Sequence, residues 1–235
     1  MKFFYATSLT ALLAGLFLFG FVEKAAAQEA EFALNFQIGV PQGDFGEKLD
    51  RTGYGISGMA GYRLPYSPLM LGIDAGFLTF GTDRRRVPIS PTIPDVTVQV
   101  DNSYNMANFS FFTRLTGRDI RFRPYVDALI GFNYLYTDST IRDRRTQEEV
   151  VSDTNFDDFA FAYGLGGGFR VLIWEGVAPQ TSRAYFNVNA RYIRGGNAEY
   201  VRPGSIDTSG GELTFDVLES RTDILNFNIG FTVNF

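Results

Sequence analysis

The sequence predicts an all-β protein, an eight-stranded antiparallel up-and-down barrel that crosses a membrane, with ten strands as an alternative. Three observations support this prediction. Apolar and polar residues alternate in eight stretches, with the period of two that a β-strand produces. The connections between these stretches alternate between short and long, as in bacterial transmembrane barrels. The polar positions hold mainly Gly, Ala, Asn and Ser, which suit a crowded barrel interior better than a wet surface.

The N-terminus predicts export from the cytoplasm. An apolar run follows the first two residues, and the small residues Ala25 and Ala27 fit a cleavage site before Gln28. We therefore expect a cleaved signal peptide over residues 1–27 and a single barrel domain over residues 28–235. The alternative is an uncleaved membrane helix, since about 20 apolar residues can span a bilayer.

Composition excludes several classes of function. The chain contains no Cys and no His, and its net charge is −5. Without Cys there is neither a disulfide nor a thiolate site, and without His the commonest general base and transition-metal ligand are missing. The mild acidity argues against a nucleic acid as partner. We therefore expect no enzyme activity, no cofactor and no metal.

The eight predicted strands are defined by their alternating residues. They cover residues 32–40, 54–64, 71–77, 107–115, 126–134, 159–173, 186–192 and 225–235. The last is the most regular, with an apolar residue at every odd position from Leu225 to Phe235. An open sheet edge in hydrocarbon would leave backbone groups unpaired at several kcal/mol each, so we expect this strand to close against the first.

The connections predict two different rims. Three are short, at residues 65–68, 117–119 and 176–182. Four are long and polar, at residues 44–53, 81–103, 137–158 and 194–223. Within the last of these, residues 213–217 form either an additional strand or an extension above the membrane.

Aromatic residues lie near both predicted rims, where belts are expected between lipid tails and headgroups. Those near the short turns are Tyr62, Tyr66, Tyr125, Trp174 and Tyr185. Those near the long connections are Tyr54, Phe80, Tyr104, Tyr136 and Phe159.

Two passages carry a resemblance to a known family. The stretch "IGVPQGDFG" followed by "TGYGISGMAGYRL" is similar to the opening hairpin of the OmpA/OmpX-type small outer-membrane β-barrels. The chain ends in alternating apolar residues that resemble the signal such proteins present to the barrel-assembly machinery: Phe227, Ile229, Phe231, Val233 and Phe235. The resemblance covers residues 28–235 and implies residence in the bacterial outer membrane among its lipids. The periplasmic domain of full-length OmpA is not expected, so peptidoglycan binding is not carried over.

Charged residues at polar strand positions predict a network inside the barrel. They are Arg63, Asp74, Arg114, Asp127, Arg170 and Arg191. Charges in a narrow interior are costly unless they are paired. Arg114 and Asp127 lie nearly opposite each other across a short turn and form the expected pair, whereas the arginine that pairs with Asp74 stays open. The network acts either as a static plug or as a gate that re-pairs to open a small pore.

Two basic runs begin long connections on the same rim. They are Arg84, Arg85 and Arg86, and Arg142, Arg144 and Arg145. Arginine suits bidentate phosphate contacts, so these residues are candidates for binding outer-leaflet headgroups. The alternative is a solvated loop in which the arginines are mixed with nearby acidic residues.

The function expected from these features is structural rather than catalytic. We expect a monomeric, non-enzymatic outer-membrane barrel with a filled polar interior and long surface loops, which contributes to envelope structure or contacts a surface ligand. The alternative is a narrow porin-like channel or a conduit for a small molecule or lipophile. Fold alone does not decide between them, and neither the extracellular ligand nor the surface partner can be named from the sequence.

Overall fold

The chain folds into a closed antiparallel barrel, seen in a computed structural model that describes residues 30–90, 93–117, 121–142, 149–176, 182–205 and 216–234. The barrel strands are β1 Ala30–Pro41, β2 Gly53–Arg63, β3 Leu69–Ser90, β4 Ile93–Thr116, β5 Phe122–Arg142, β6 Glu149–Glu175, β7 Arg183–Gly195 and β10 Ile224–Asn234. A helix, α1, spans Gly43–Leu49. Strands β8 Asn197–Val201 and β9 Val217–Arg221 form a separate two-stranded sheet. The predicted signal peptide, with Ala25 and Ala27, lies outside the described residues.

The first and last strands close the barrel. They pair antiparallel from Glu31 with Asn234 to Pro41 with Ile224. Residue pairs can be followed from strand to strand once around the barrel. A path that leaves β7 at Ile193 returns to β7 at Arg183, ten residues earlier, and this displacement measures the stagger of the strands. Eight strands with this displacement tilt by roughly 40° from the barrel axis. The eight-stranded prediction is confirmed, and β8 and β9 do not enlarge the barrel to ten.

The two faces of the barrel are inverted relative to a soluble protein. On β1, Leu34 and Phe36 are 66% and 49% exposed, whereas Asn35 and Gln37 are 5% and 2% exposed. The same alternation continues along β10, where Phe227, Ile229 and Phe231 point outward. Large apolar side chains therefore form the outer surface, which is the arrangement that hydrocarbon requires. No helix among the described residues is long and apolar enough to cross a membrane.

Four strands rise above the rim of the barrel on the long-connection side. Strand β2 stops pairing with β3 at Thr79, and β7 stops pairing with β6 at Ala162. Strands β3 and β4 continue to pair as far as Ser90 with Ile93, and β5 and β6 as far as Arg142 with Glu149. We call this extension of β3–β6 the projecting sheet. Its β3 strand continues for eleven residues beyond Thr79, or roughly 35 Å at the rise of a β-strand.

The predicted long polar connections at residues 81–103 and 137–158 are therefore mostly strand, and their description as loops was wrong. The first contains the run Val96-Thr97-Val98-Gln99-Val100, whose β-branched residues favour extended backbone. The short connections, in contrast, join strands directly at the opposite rim, as predicted.

A cap covers the long-connection end of the barrel. It consists of α1, which joins β1 to β2, and the β8–β9 hairpin, which joins β7 to β10. The Phe45 ring lies edge-on to Phe80 and Tyr200, with centroids 6.0 and 5.3 Å away. The Lys48 Nζ donates to the Glu219 carbonyl at 2.7 Å and links the two parts of the cap.

The cap packs on an apolar layer contributed by the barrel wall. The buried members of this layer include Leu78, Phe80, Tyr104, Met106, Leu135, Ala160, Ala162, Ile193 and Ile224. The interior is therefore apolar beneath the cap, and a second buried apolar cluster lies among the polar side chains of β1–β5: Ala33, Met59, Met70, Phe112 and Leu129. The expectation of a polar filling is only partly met. Burial raises the pKa of the Tyr200 phenol, which stays neutral and shares a hydrogen bond of 2.8 Å with the Ser220 hydroxyl.

Four residues assigned to the aromatic belts point into the barrel instead. Tyr125, Tyr185, Phe80 and Tyr104 are all nearly inaccessible to solvent. Each occupies a strand position of the same parity as the polar residues of its strand, as Tyr125 does beside Asp127. Proximity to a turn was the wrong criterion, because the face of a strand residue is decided by alternation. Tyr54, Tyr62, Trp174 and Phe159 are exposed on the outer surface.

Closure of the barrel depends on a glycine of β10. A Cβ built at Gly230 would lie 2.1 Å from the Leu34 carbonyl oxygen on β1. We expect Gly230→Ala to lower the free energy of unfolding by about 1–3 kcal/mol through overpacking. The measurement is a urea titration of the detergent-solubilised chain, followed by the difference in gel migration between unheated and heated samples.

The matched control is Gly58→Ala on β2. A Cβ there would meet only the Ala33 carbonyl oxygen, at 4.0 Å. Its unfolding midpoint is expected to stay close to that of the parent chain. Equal losses in the two variants would contradict the proposed role of the close approach between β1 and β10.

Candidate functional site in the barrel interior

The interior at the short-turn end is organised around Glu31. This carboxylate stands at the beginning of β1 and is 1% exposed. It accepts hydrogen bonds from Arg63 Nη2 at 3.0 Å and from Asn234 Nδ2 at 3.3 Å. Its second oxygen accepts from Nη1 of Arg170, which is fully buried. One carboxylate therefore binds two arginines from β2 and β6 and ties both to the barrel closure.

A second charged cluster lies further into the barrel. Arg114 Nε and Nη2 donate to the two oxygens of Asp127 at 2.6 and 2.8 Å, a bidentate pair between neighbouring strands. Arg191 Nη2 donates to the same carboxylate at 3.1 Å, and its Nη1 donates to Asp74 at 2.9 Å. Asp127 is thus shared by two guanidinium groups, and Arg191 connects β7 to both β5 and β3.

A closed ring of hydrogen bonds joins six uncharged side chains in the middle of the barrel. Asn187 donates to Asn35 at 3.1 Å, Asn35 to Ser57 at 3.3 Å, and Ser57 to Asn228 at 3.4 Å. Asn228 then donates to Asn189 at 2.8 Å, Asn189 to the Tyr125 hydroxyl at 3.1 Å, and Tyr125 back to Asn187 at 2.7 Å. Each member donates once and accepts once around the ring, an arrangement in which hydrogen bonds polarise and strengthen one another.

Tyr125 connects the ring to the charged clusters. The Arg114 guanidinium carbon lies 3.8 Å from the centre of its ring, and that of Arg170 lies 5.0 Å away. These cation–π contacts stabilise buried arginines through the negative face of the aromatic ring. Arg123 makes a similar contact with Tyr185, at 4.9 Å. Tyr125 of β5 therefore directly contacts interior side chains of β4, β6 and β7, and the hydrogen-bonded ring extends these connections to β1, β2 and β10.

The glycine-rich stretch "GLGGGF" on β6 makes room for this network. A Cβ at Gly166 would lie 2.5 Å from the Cγ of Arg191, and one at Gly168 would lie 2.5 Å from the Cβ of Asn189. The run lacks the following helix and the lysine of a phosphate-binding loop. Its glycines serve the packing of large polar side chains across a narrow lumen.

All six charged residues proposed from the sequence lie in this interior. Five are almost completely buried, and Arg63 lies closer to the rim, with its side chain 25% exposed. The structure pairs Arg114 with Asp127, and Asp74 with Arg191. Sequence reasoning missed Glu31 and Arg123, although each shares the parity of the inward residues of its strand, such as Asn35 on β1 and Asp127 on β5.

The other proposed site residues lie elsewhere. Arg84 is on the projecting sheet, beyond the last residue of β3 that pairs with β2, with its side chain 70% exposed and its Nε 3.5 Å from Asp101. The structure describes the backbone but not the side chains of Arg85, Arg86 and Arg142. Arg144, Arg145 and Phe235 lie outside the described residues. Within the described part of the chain, no group of three or more acidic side chains is suited to hold a metal ion.

A closed barrel with an apolar exterior and an interior filled by side chains is the architecture of a small integral outer-membrane protein. The chain belongs to the outer membrane protein beta-barrel domain family, whose model matches residues 11–235. Family membership assigns it to the bacterial outer membrane. No match was found among curated protein sequences.

Three solved structures are similar to this chain in arrangement. Neisserial surface protein A is 10% identical with a TM-score of 0.41, covering 90% of this chain and 97% of its own. Ail of Yersinia pestis, crystallised with the heparin analogue sucrose octasulfate, is 14% identical with a TM-score of 0.38, covering 88% and 99%. A major outer membrane protein of Thermus thermophilus is 13% identical with a TM-score of 0.39, covering 88% and 99%.

The Arg114–Asp127 pair generates a prediction about stability. Arg114→Met leaves Asp127 buried with Arg191 as its remaining ion-pair partner, so we expect a loss of about 3 kcal/mol in the free energy of unfolding. Replacing both partners, in Arg114→Met/Asp127→Leu, removes the uncompensated charge and is expected to recover most of this loss. Urea titrations in detergent measure both values. A double variant as unstable as the single one would contradict this explanation.

Proposed function

We propose that the chain is a non-conducting, non-enzymatic outer-membrane barrel that presents the projecting sheet at the cell surface. The observation that carries this proposal is the filling of the lumen by three successive layers. The Glu31 cluster occupies the short-turn end, the asparagine ring with Asp127 occupies the middle, and the apolar layer with its cap occupies the long-connection end. A barrel of eight strands has an interior just wide enough for such side chains.

The direction of the chain in the membrane supports surface presentation. Outer-membrane barrels have short periplasmic turns and longer extracellular connections. The projecting sheet and the cap both belong to the long-connection end, so this orientation directs them outward. Export with removal of residues 1–27 is part of the same proposal.

A protruding β-sheet is suited to contact another macromolecule or to reinforce the envelope surface. No described strand pairs with β3 beyond Thr79 on the edge away from β4. On β6, no described strand pairs with the edge away from β5 in the part of the strand that precedes Ala162. Edges of this kind present backbone donors and acceptors to solvent. We therefore assign the interaction surface to the projecting sheet rather than to the lumen.

A narrow channel is the second candidate, and one observation favours it. Asp127 is shared between Arg114 and Arg191, and Arg191 is itself shared between Asp127 and Asp74. Because these partners are shared, the arginines and aspartates could exchange ion pairs during an opening of the lumen without leaving any of the charges unpaired. The same exchange would not remove the apolar layer beneath the cap, which is why we prefer the non-conducting function.

Planar-bilayer recordings test the choice between these candidates. We expect the purified chain to give no steady conductance, because three layers of side chains close the lumen. A porin reconstituted in the same bilayers serves as the positive control. Reproducible conductance steps that disappear in Phe45→Trp, which enlarges the cap, would contradict the proposal and support the channel.

Surface presentation is tested by labelling. The chain contains no Cys, so a single introduced cysteine is a specific probe. We expect Arg84→Cys to react with a membrane-impermeant maleimide on intact cells. Arg183→Cys, at the short-turn end of β7, serves as the control and is expected to react only after the outer membrane is permeabilised. The reverse pattern would contradict the proposed orientation.

A further inference from the structure

We propose that Arg194 and Arg221 form a binding site for the phosphate group of an outer-leaflet membrane lipid. Arg194 is the penultimate residue of β7 and shares the outward face of Phe186, Val188, Ala190 and Tyr192. Its side chain is therefore exposed on the surface that contacts lipid. These residues are distinct from the two basic runs singled out in the sequence.

The height of Arg194 matches the headgroup region. It lies one residue below the end of β7, on the side of the barrel where β1, β2, β7 and β10 end at the rim. A lipid-facing arginine is strongly disfavoured at the bilayer midplane and far less so near an interface. The position thus fits the boundary between the apolar band and the polar headgroups.

Two tyrosines flank Arg194 on the outer surface. The register places Tyr163 of β6 directly opposite Arg194, and its hydroxyl is hydrogen-bonded to the guanidinium. Tyr192 lies two residues earlier on the same strand and is also exposed. Tyrosines with apolar rings and polar tips are typical of the membrane interface. Their presence on both sides of Arg194 supports the assignment of this level to the headgroups.

Asp223 brings a second arginine to the same patch. Its Oδ1 accepts from the Gly195 backbone N–H at 3.1 Å, next to Arg194, and its Oδ2 lies 3.5 Å from the Tyr192 hydroxyl. Arg221 Nη2 donates to both oxygens of Asp223 at 3.2 Å, and half of its side chain remains exposed. The patch therefore combines two guanidinium groups with the Asp223 carboxylate, and Glu219 lies at its edge, two residues before Arg221 on the same face of β9.

Asp223 is the carboxylate that interacts with the Arg194 guanidinium, and Arg221 already binds both of its oxygens. The hydrogen bond from Arg194 to Tyr163 uses only part of the donor capacity of the guanidinium. A guanidinium with remaining donors at the membrane surface binds a phosphate through charge-assisted and often bidentate hydrogen bonds. Headgroup phosphate is the anion present at that level of the membrane. The inference depends on the outward direction of the long-connection end and is independent of whether the lumen conducts.

The test is native mass spectrometry of the full chain in detergent, titrated with lipid A that carries two phosphates. The comparison ligand is the same lipid with both phosphates removed. We expect the parent chain to retain the phosphorylated lipid preferentially, and Arg194→Gln and Arg221→Gln each to weaken retention by about tenfold. Arg194→Lys is expected to keep part of the affinity, because it keeps the charge but not the bidentate geometry.

The matched control is Arg183→Gln, which changes the same residue type at the other end of the same strand. It is expected to leave lipid retention unchanged, and gel migration before and after heating verifies that every variant is folded. Equal retention of the two lipids, or equal losses in Arg183→Gln and Arg194→Gln, would overturn the proposal. Displacement of the lipid by an equal concentration of inorganic phosphate would also overturn it, because the site would then bind a soluble anion.

Discussion

Pairing between β1 and β10 is the constraint on which the rest of the structure depends. In hydrocarbon no water can satisfy a free strand edge, so the ladder from Glu31–Asn234 to Pro41–Ile224 must be complete. Closure with eight strands and a displacement of ten residues then determines the tilt and the width of the lumen. That width leaves space for interlocking side chains, and the identities of the inward residues follow from it.

The interior solves the problem of burying polar groups in three ways. At the short-turn end, ion pairs satisfy the charges, because Glu31 contacts two arginines. In the middle, six side chains satisfy one another in a ring without net charge. Beneath the cap the wall becomes mainly apolar, and the phenols of Tyr104 and Tyr200 form their hydrogen bonds with Gly204 and Ser220 of the cap. Each solution reduces the cost of unpaired buried polar groups, which is about 1–3 kcal/mol each or more for a charge. The satisfaction is incomplete, because buried atoms such as Gln37 Oε1 and Arg170 Nη2 have no hydrogen-bond partner among the described residues. The layers also explain why the inward positions favour Asn, Ser and Gly.

The sequence predicts contacts between neighbouring strands well and contacts across the lumen poorly. Arg114 and Asp127 could be paired because a short turn fixes their register. The partner of Asp74 is Arg191, four strands away, and its identity depends on barrel width and stagger that no local pattern contains. The same holds for Asn35 and Asn187. Glu31 and the inward tyrosines were predictable from alternation. An odd or even position along a strand determines which face a side chain lies on, whereas proximity to a turn does not. Helix α1 has only seven residues, and its cap role depends on Phe45 meeting Phe80 and Tyr200.

The two halves of the barrel have different tasks at the outer rim. Strands β1, β2, β7 and β10 end there, and their connections become the cap. Strands β3–β6 continue upward and provide the wall on which the cap packs, through Phe80, Tyr104, Leu135 and Phe156. If all eight strands ended at the rim, the Phe45 and Tyr200 rings would lose much of their apolar support and stand in water. The tall half therefore closes the lumen indirectly while it forms the projecting sheet. The short half leaves Arg194 uncovered at the membrane surface, where a lipid headgroup can approach from the side.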